Sequence, residues 1–468
     1  MTSVGTTRIT DQQITLLSRE QTSQLLSDIE KRVSDTDATA KENFDSLKHD
    51  DKEGIKKSIQ TAYVSLIALK SSSSDGTHEL AARIFYLYAR CVYGSKFERT
   101  RSLCELSLGC QLVALKAIKA TDLPDFTQCA KLEDLPEWVA KQKESAADNF
   151  LMNNTEELTK LAVFQKPEQA FLTAMTLRWL GAAYHNISTY KKAEYSKRFE
   201  NIYGTAEKIF HAIYTDKSLA GSKIADAALW NGIIELVYNT NRFRYYLAND
   251  ALSKPSKEHI QGALKTLEPL QTYLTEDSER AVQKRAQIQN ITRIEWSQLY
   301  PSDLAAREKF LQENPQIPQE QYKAMCEACA LMDSLSGRIF LKTMFKNNKA
   351  AVAMSCLQAG TQVMKLEDLK KLMASVLEDI TKEKFDHDYH VIFLRNAARL
   401  EFLCGNPKGT FTHLQKAKEI ATDDEDIAAV NTDRRYYKAK LQRKYVRPVI
   451  TLAGLAGLVG LLFHAKKT

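Results

Sequence analysis

Leu177-Arg178-Trp179-Leu180-Gly181-Ala182-Ala183-Tyr184 is the stretch whose reading decides the fold. Leu177, Leu180, Gly181 and Tyr184 stand at i, i+3, i+4 and i+7. That spacing lines up one face of an α-helix. A glycine within an apolar face lets a second helix come close, and Ala193 follows nine residues after Tyr184. Asn186-Ile187-Ser188-Thr189 reads as the turn, and Phe199, Ile202, Tyr203, Ala206, Ile209, Phe210 and Ile213 as one face of a partner helix.

Working outward, the same periodicity recurs along the chain of 468 residues. It covers 14–33, 55–70, 81–93, 98–118, 144–161, 224–248, 256–275, 279–299, 303–313, 319–346, 349–360 and 366–382. The breakers between them include Ser71–Ser74 with Gly76, Pro124, Pro136, Gly221, Pro255, Pro301, Pro315 and Gly360. No segment alternates with period two, and no Asn-Gly turn links two apolar runs. The expectation is an all-α chain. A second helical hairpin is expected at Leu394, Ala398, Gly405-Asn406-Pro407, Leu414 and Ala417, with Gly405 in the turn and Pro407 opening the second helix.

Together, Leu177, Leu180, Gly181, Tyr184 and Ala193, with the later partial match, resemble the tetratricopeptide family, whose helix pairs repeat about every 34 residues. The resemblance covers two repeats and departs from the pattern at Lys197 and Glu200. It implies a helical-hairpin repeat array, an α-solenoid in which each hairpin buries its apolar face on the next.

The chain's other marked stretch is its end. From Pro448 to Phe463 no acidic or basic residue occurs: Pro448, Val449, Ile450, Leu452, Leu455, Leu458, Val459, Leu461, Leu462 and Phe463 carry the apolar surface. As a helix this run is about 24 Å long, short for a hydrocarbon core of about 30 Å but workable where flanking residues snorkel or the bilayer thins. Arg443, Lys444 and Arg447 flank it on one side, Lys466 and Lys467 on the other. Ala453 with Gly457, and Ala456 with Gly460, are small-xxx-small pairs that allow helix–helix contact and hence a homodimer.

Charge supports the same division. The net charge is +7, yet 434–468 hold nine Lys and Arg and no acid, so 1–433 carry −2. A nucleic-acid reader would carry its basic stripe on the folded body. The excess beside an apolar run instead points to orientation and anionic headgroups. Eight cysteines spread through helical patterns read as small apolar residues of a reducing compartment.

Chemistry-bearing patterns are sparse. Cys326-Glu327-Ala328-Cys329 falls inside a helical run, away from the strand–helix setting that activates a redox pair. Asp386-His387-Asp388-Tyr389-His390 reads as a capped helix start rather than a metal site. Arg242-Phe243-Arg244-Tyr245-Tyr246 and Arg434-Arg435-Tyr436-Tyr437 read as snorkelling side chains, the second beside the membrane. No phosphate loop, nucleophile elbow or zinc-protease motif is present.

The expectation has three parts: N-terminal helices over 1–70, a repeat body over 71–445 and an anchor over 446–465. Functionally it is a non-enzymatic adaptor facing the cytosol. It recruits protein partners, carries no cofactor or metal, and binds no nucleic acid. Its architecture is similar to that of tail-anchored adaptors of the mitochondrial outer membrane, with the endoplasmic reticulum or a bacterial membrane as other placements. The alternatives are a membrane-tethered enzyme with a site assembled from distant helices, or a bacterial effector or inner-membrane protein of the same build.

Overall fold

A computed structural model describes residues 16–33, 49–72, 77–92, 97–141, 145–163, 166–188, 196–383, 387–422 and 424–443. Among them every regular element is helical and no strand occurs. The chain is all-α, as its periodicity predicts. Two compact units emerge: residues up to Asp250 with Thr266–Leu270, and Ala251–Lys265 with Gln271 onward.

The first unit begins with α1 (Arg19–Val33), α2 (His49–Ser72), α3 (Thr77–Val92) and α4 (Phe97–Ala114). An irregular connector then leads to α5 (Leu135–Ala140). The phenol of Tyr63 on α2 lies 2.8 Å from the carbonyls of both Phe126 and Cys129, tying that connector to the core. The segment expected as one helix over 144–161 is α6 (Ala146–Asn153) and α7 (Thr155–Val163), parted at Asn154. Ser145 caps α6 by accepting from the Asp148 amide.

The deciding stretch lies in α8 (Pro167–Ser188), which pairs with α9 (Ser196–Thr215). Leu177, Leu180 and Tyr184 are fully buried. Gly181 is needed for the approach: a Cβ placed on it would stand 2.8 Å from the Tyr203 ring of α9. The turn expected at 186–189 is corrected at 186–188, where α8 continues through Ser188; Thr189 lies outside the described residues. Ala193 lies outside the described residues.

Beyond α9, α10 (Lys223–Ala227) runs through a π-helical turn at 228–234 into α11 (Glu235–Ala248). A π turn widens the helix and disturbs its carbonyl ladder. Arg178 of α8 donates to the carbonyl of Asn231 at 2.6 Å. Phe210 of α9 presses on the same turn, where a Cβ on Gly232 would meet its ring at 2.4 Å.

The second unit holds α12 (Lys257–Lys265), α13 (Glu279–Ser297), α14 (Leu304–Glu313), α15 (Gln316–Asp333) and α16 (Ile339–Gln358). It continues with α17 (Leu366–Glu383), α18 (His387–Leu403), α19 (Pro407–Ile420) and α20 (Asp424–Leu441). The run expected as one helix over 319–346 is broken at 334–338, where Gly337 and Arg338 take left-handed backbone angles of 67° and 56°. The Gly405 hairpin forms as expected: Gly405 has φ +75°, Asn406 caps α19 through the Gly409 amide, and Pro407 is its first residue.

Apolar clusters in this unit pass from helix to helix. Phe345, Val352 and Cys356 of α16 pack with Met325 and Met332 of α15. Ala350 and Met354 on another side of α16 join Val376 of α17 and Phe393 of α18. Val391 and Ala398 of α18 then pack with Leu414 of α19 and Tyr437 of α20. α16 and α18 thus each belong to two successive cores, a nearest-neighbour build compatible with a helical repeat array.

Candidate functional site

Two concavities in the first unit bring chemistry together. The larger is a groove of about 710 Å³ walled by α1, α3, α4, α8 and residues 222–224. Its apolar lining includes Ala82, Ala114, Leu115, Phe171 and Leu172. Arg83 of α3 crosses to α1 and grips Glu30 as a fork, Nε to Oε1 at 2.9 Å and Nη2 to Oε2 at 2.6 Å. Such paired bonds fix the guanidinium plane. Beside it Gln111 is buried, donating to the hydroxyls of Ser107 at 3.2 Å and Thr176 at 3.0 Å. Glu79, Glu168, Lys31 and Lys223 stand exposed around the groove. The groove is apolar within, with charges of both signs at its edge.

The second is a polar cavity of about 530 Å³. Tyr184 of α8 donates from its hydroxyl to Glu105 Oε1 of α4 at 2.8 Å, with Asp148 Oδ1 of α6 at 3.5 Å. Arg198 of α9 pairs with Asp148 at 3.1 Å. Arg101 approaches Glu105 at 3.8 Å and also pairs with Glu98 at 3.2 Å. Burial, helped by the nearby Asp148 charge, pushes the Glu105 carboxyl up from its ordinary range against the pull of Arg101, Tyr184 and Arg198. The Tyr184 phenol is pushed up too, by burial and then by Glu105. Two carboxyls in unlike surroundings are what acid–base chemistry uses, but here both are engaged by this chain's own phenol and guanidinium groups.

Glu105, Asp148 and Arg198 do not stand out in the sequence, because they come from three helices and share no spacing. Only Tyr184 carries a signal, and it is a packing signal. Its hydroxyl turns out to reach α4 and α6.

Two of the sequence patterns with chemical promise, the Cys329 end of the cysteine pair and the first cation–aromatic run, are taken up by packing. Cys329 faces the core of α15 and α16, and burial pushes its thiol up to about 11. Among the described residues no group of three His, Cys, Asp or Glu is placed to hold a metal ion. Asp386 lies outside the described residues. In the first cation–aromatic run Phe243 and Tyr246 are buried, and Arg244 pairs with Glu207 at 3.2 Å.

In the second run the two tyrosines pack against this chain, while Arg434 and Arg435 are exposed. Tyr436 donates to Glu308 of α14 at 2.8 Å. Tyr437 is buried, its ring 4.6 Å from that of Phe402. Of the anchor flanks, Arg443 is exposed at the last described position. Lys444, Arg447, Lys466 and Lys467 lie outside the described residues, as do Pro448 through Phe463 with the small pairs Ala453/Gly457 and Ala456/Gly460. Among the described residues no helix is long and apolar enough to cross a membrane.

No family model matches the chain, and no curated protein matches it either.

Proposed function

We propose that this protein is a non-enzymatic helical-repeat adaptor that recruits a protein partner to a membrane, with 448–463 as the tail that holds it there. The observation that carries the reading is the groove of the first unit, about 710 Å³, apolar inside and ringed by charges of both signs. A surface of that kind suits a segment of another protein, whose apolar residues enter while its charged ones stay at the edge. The basic-flanked apolar run supports a membrane tether, and its modest length and Gly/Ala content favour the mitochondrial outer membrane.

The test is the location of a fluorescent fusion of the full chain and of the chain without 445–468. The full chain is expected on mitochondria and the shortened chain diffuse. A diffuse full chain would end the anchor reading.

A second reading, a tethered enzyme with its site assembled from distant helices, draws on the Glu105–Tyr184–Asp148 cavity. The mutual pairing of its acids and arginines weighs against it, because a working site keeps acceptors or donors for a substrate.

A further inference from the structure

α19 and α20 are joined by residues 421–423 and pack on each other. So short a connection makes an antiparallel helical hairpin, and the start of α19 stands beside the end of α20. The two faces of α20 differ. Asp433 and Tyr437 are buried, and Asp433 takes Arg395 at 2.7 Å. Lys440 is turned inward and pairs with Glu308 of α14. Arg434, Arg435 and Lys438 are exposed, at spacings that share one side of the helix.

Arg434 also lines a shallow cleft with Lys408 and Lys416 of α19. Glu419 is the one acid lining it, and it already accepts from Gln415 at 3.1 Å. Among the described residues, Lys408, Lys416, Arg434, Arg435 and Lys438 form no ion pair. The acids of α20, Asp424, Glu425 and Asp426, sit in its first turn, roughly 22–26 Å from its other end.

This polarity has a direction. Five steps separate Arg443 from Pro448, a reach of at most about 18 Å. Because Lys440 and Tyr436 fasten α20 to α14, a tail held in a bilayer brings the basic end of this hairpin, with Lys408, Arg434, Arg435 and Lys438, nearest the headgroups; Lys416 follows on the same cleft about 12 Å further along α19. We propose that the outer face of the α19–α20 hairpin, Lys408, Lys416, Arg434, Arg435 and Lys438, docks on the anionic lipid surface of the membrane that holds the tail. The proposal rests on the anchor reading. It adds to that reading two cations, Lys408 and Lys416, far from the tail in sequence, and it removes Lys440 from the lipid-facing set.

The test uses the full chain in two tail forms, intact and Leu455→Asp/Leu458→Asp, on vesicles of phosphatidylcholine alone or mixed with phosphatidylserine. The tail-disrupted chain is expected to bind only the mixed vesicles, and to lose that binding as salt rises. A cation near an anionic surface is worth about fivefold in partitioning. Lys408→Gln/Lys416→Gln/Arg434→Gln should therefore weaken binding roughly a hundredfold. Lys408→Arg/Lys416→Arg/Arg434→Lys should retain it. With the tail intact, the triple-Gln chain should still insert into phosphatidylcholine vesicles.

Equal binding of the triple-Gln and parent chains to mixed vesicles would overturn the proposal, as would no binding by the tail-disrupted parent. So would cation-dependent binding to polyuridylate RNA by a chain that ignores the vesicles. Failure of the intact chain to insert into neutral vesicles would instead remove the anchor reading, whatever the hairpin does.

Discussion

His185 should make the first unit acid-sensitive. It lies in the last turn of α8, with its ring centre 4.1 Å from that of Phe243 on α11 and 5.7 Å from that of Phe199 on α9. Burial, with Arg242 adding repulsion, lowers its pKa to about 4. Between about 4 and the ordinary 6.5 the unfolded chain takes up the proton and the folded chain does not. Stability therefore rises with pH through that window and is lost as pH falls. At about 1.4 kcal/mol per pH unit, the gap is worth about 3 kcal/mol when fully developed, and about 2–3 kcal/mol once solvent at the ring's open edge is allowed for.

The assay is urea unfolding followed by tryptophan fluorescence at steps from pH 4 to 7.5. Three of the four tryptophans, Trp138, Trp179 and Trp230, lie in the first unit. His185→Leu keeps an apolar side chain of similar size and removes the titrating group. The two proteins should be close in stability at pH 7.5, and the variant should gain on the parent as pH falls. Other acids titrate in the same range, so the difference between the two curves carries the result. Parallel curves across that range would refute the argument.

Gly181→Ala should destabilise the first unit by roughly 1–2 kcal/mol, since overpacking against Tyr203 costs about 1–3 kcal/mol and better helix propensity returns up to about 1. Adding Tyr203→Leu should recover part of that loss in a double-mutant unfolding cycle, and independent, additive effects would contradict the contact. At Glu105 the folded-state pKa is raised above 4.5, so the folded chain keeps a proton that the unfolded chain releases and stability falls as pH climbs from 4.5. Glu105→Gln should therefore be more stable than the parent at pH 8, by on the order of 1 kcal/mol, while differing little at pH 4; a variant less stable at pH 8 would show that the arginines outweigh burial. If the same variant gained stability but lost its function in cells, the enzyme reading of the cavity would gain ground, because working sites give up stability for chemistry.

The features legible in the sequence are those one helix expresses by itself. Leu177, Leu180, Gly181 and Tyr184 report a buried face by their spacing alone, and they lie buried on α8. Gly405-Asn406-Pro407 combines a left-handed residue, a cap and a first-turn proline, each with its own local physics, and the hairpin forms there. The breaks at Asn154 and at 334–338 were hidden because the apolar period runs on through them. The π turn at 228–234 was hidden for a different reason. It needs Arg178 for the Asn231 carbonyl and space for Phe210 over Gly232, and both partners sit on other helices.

The two candidate surfaces differ from the sequence motifs for the same physical reason. A period of 3.6 residues says which side of a helix is buried, but not which residue of a neighbour it meets. Glu105, Asp148 and Arg198 become a cluster only when α4, α6 and α9 adopt one relative register around Tyr184. The basic segment before the tail shows the complementary case. In sequence, Arg434, Arg435, Lys438 and Lys440 form one charge run; in three dimensions Lys440 belongs to α14, while Lys408 and Lys416 of α19 take its place beside Arg434. Composition thus locates charge along the chain, and helix packing decides which part of it faces outward.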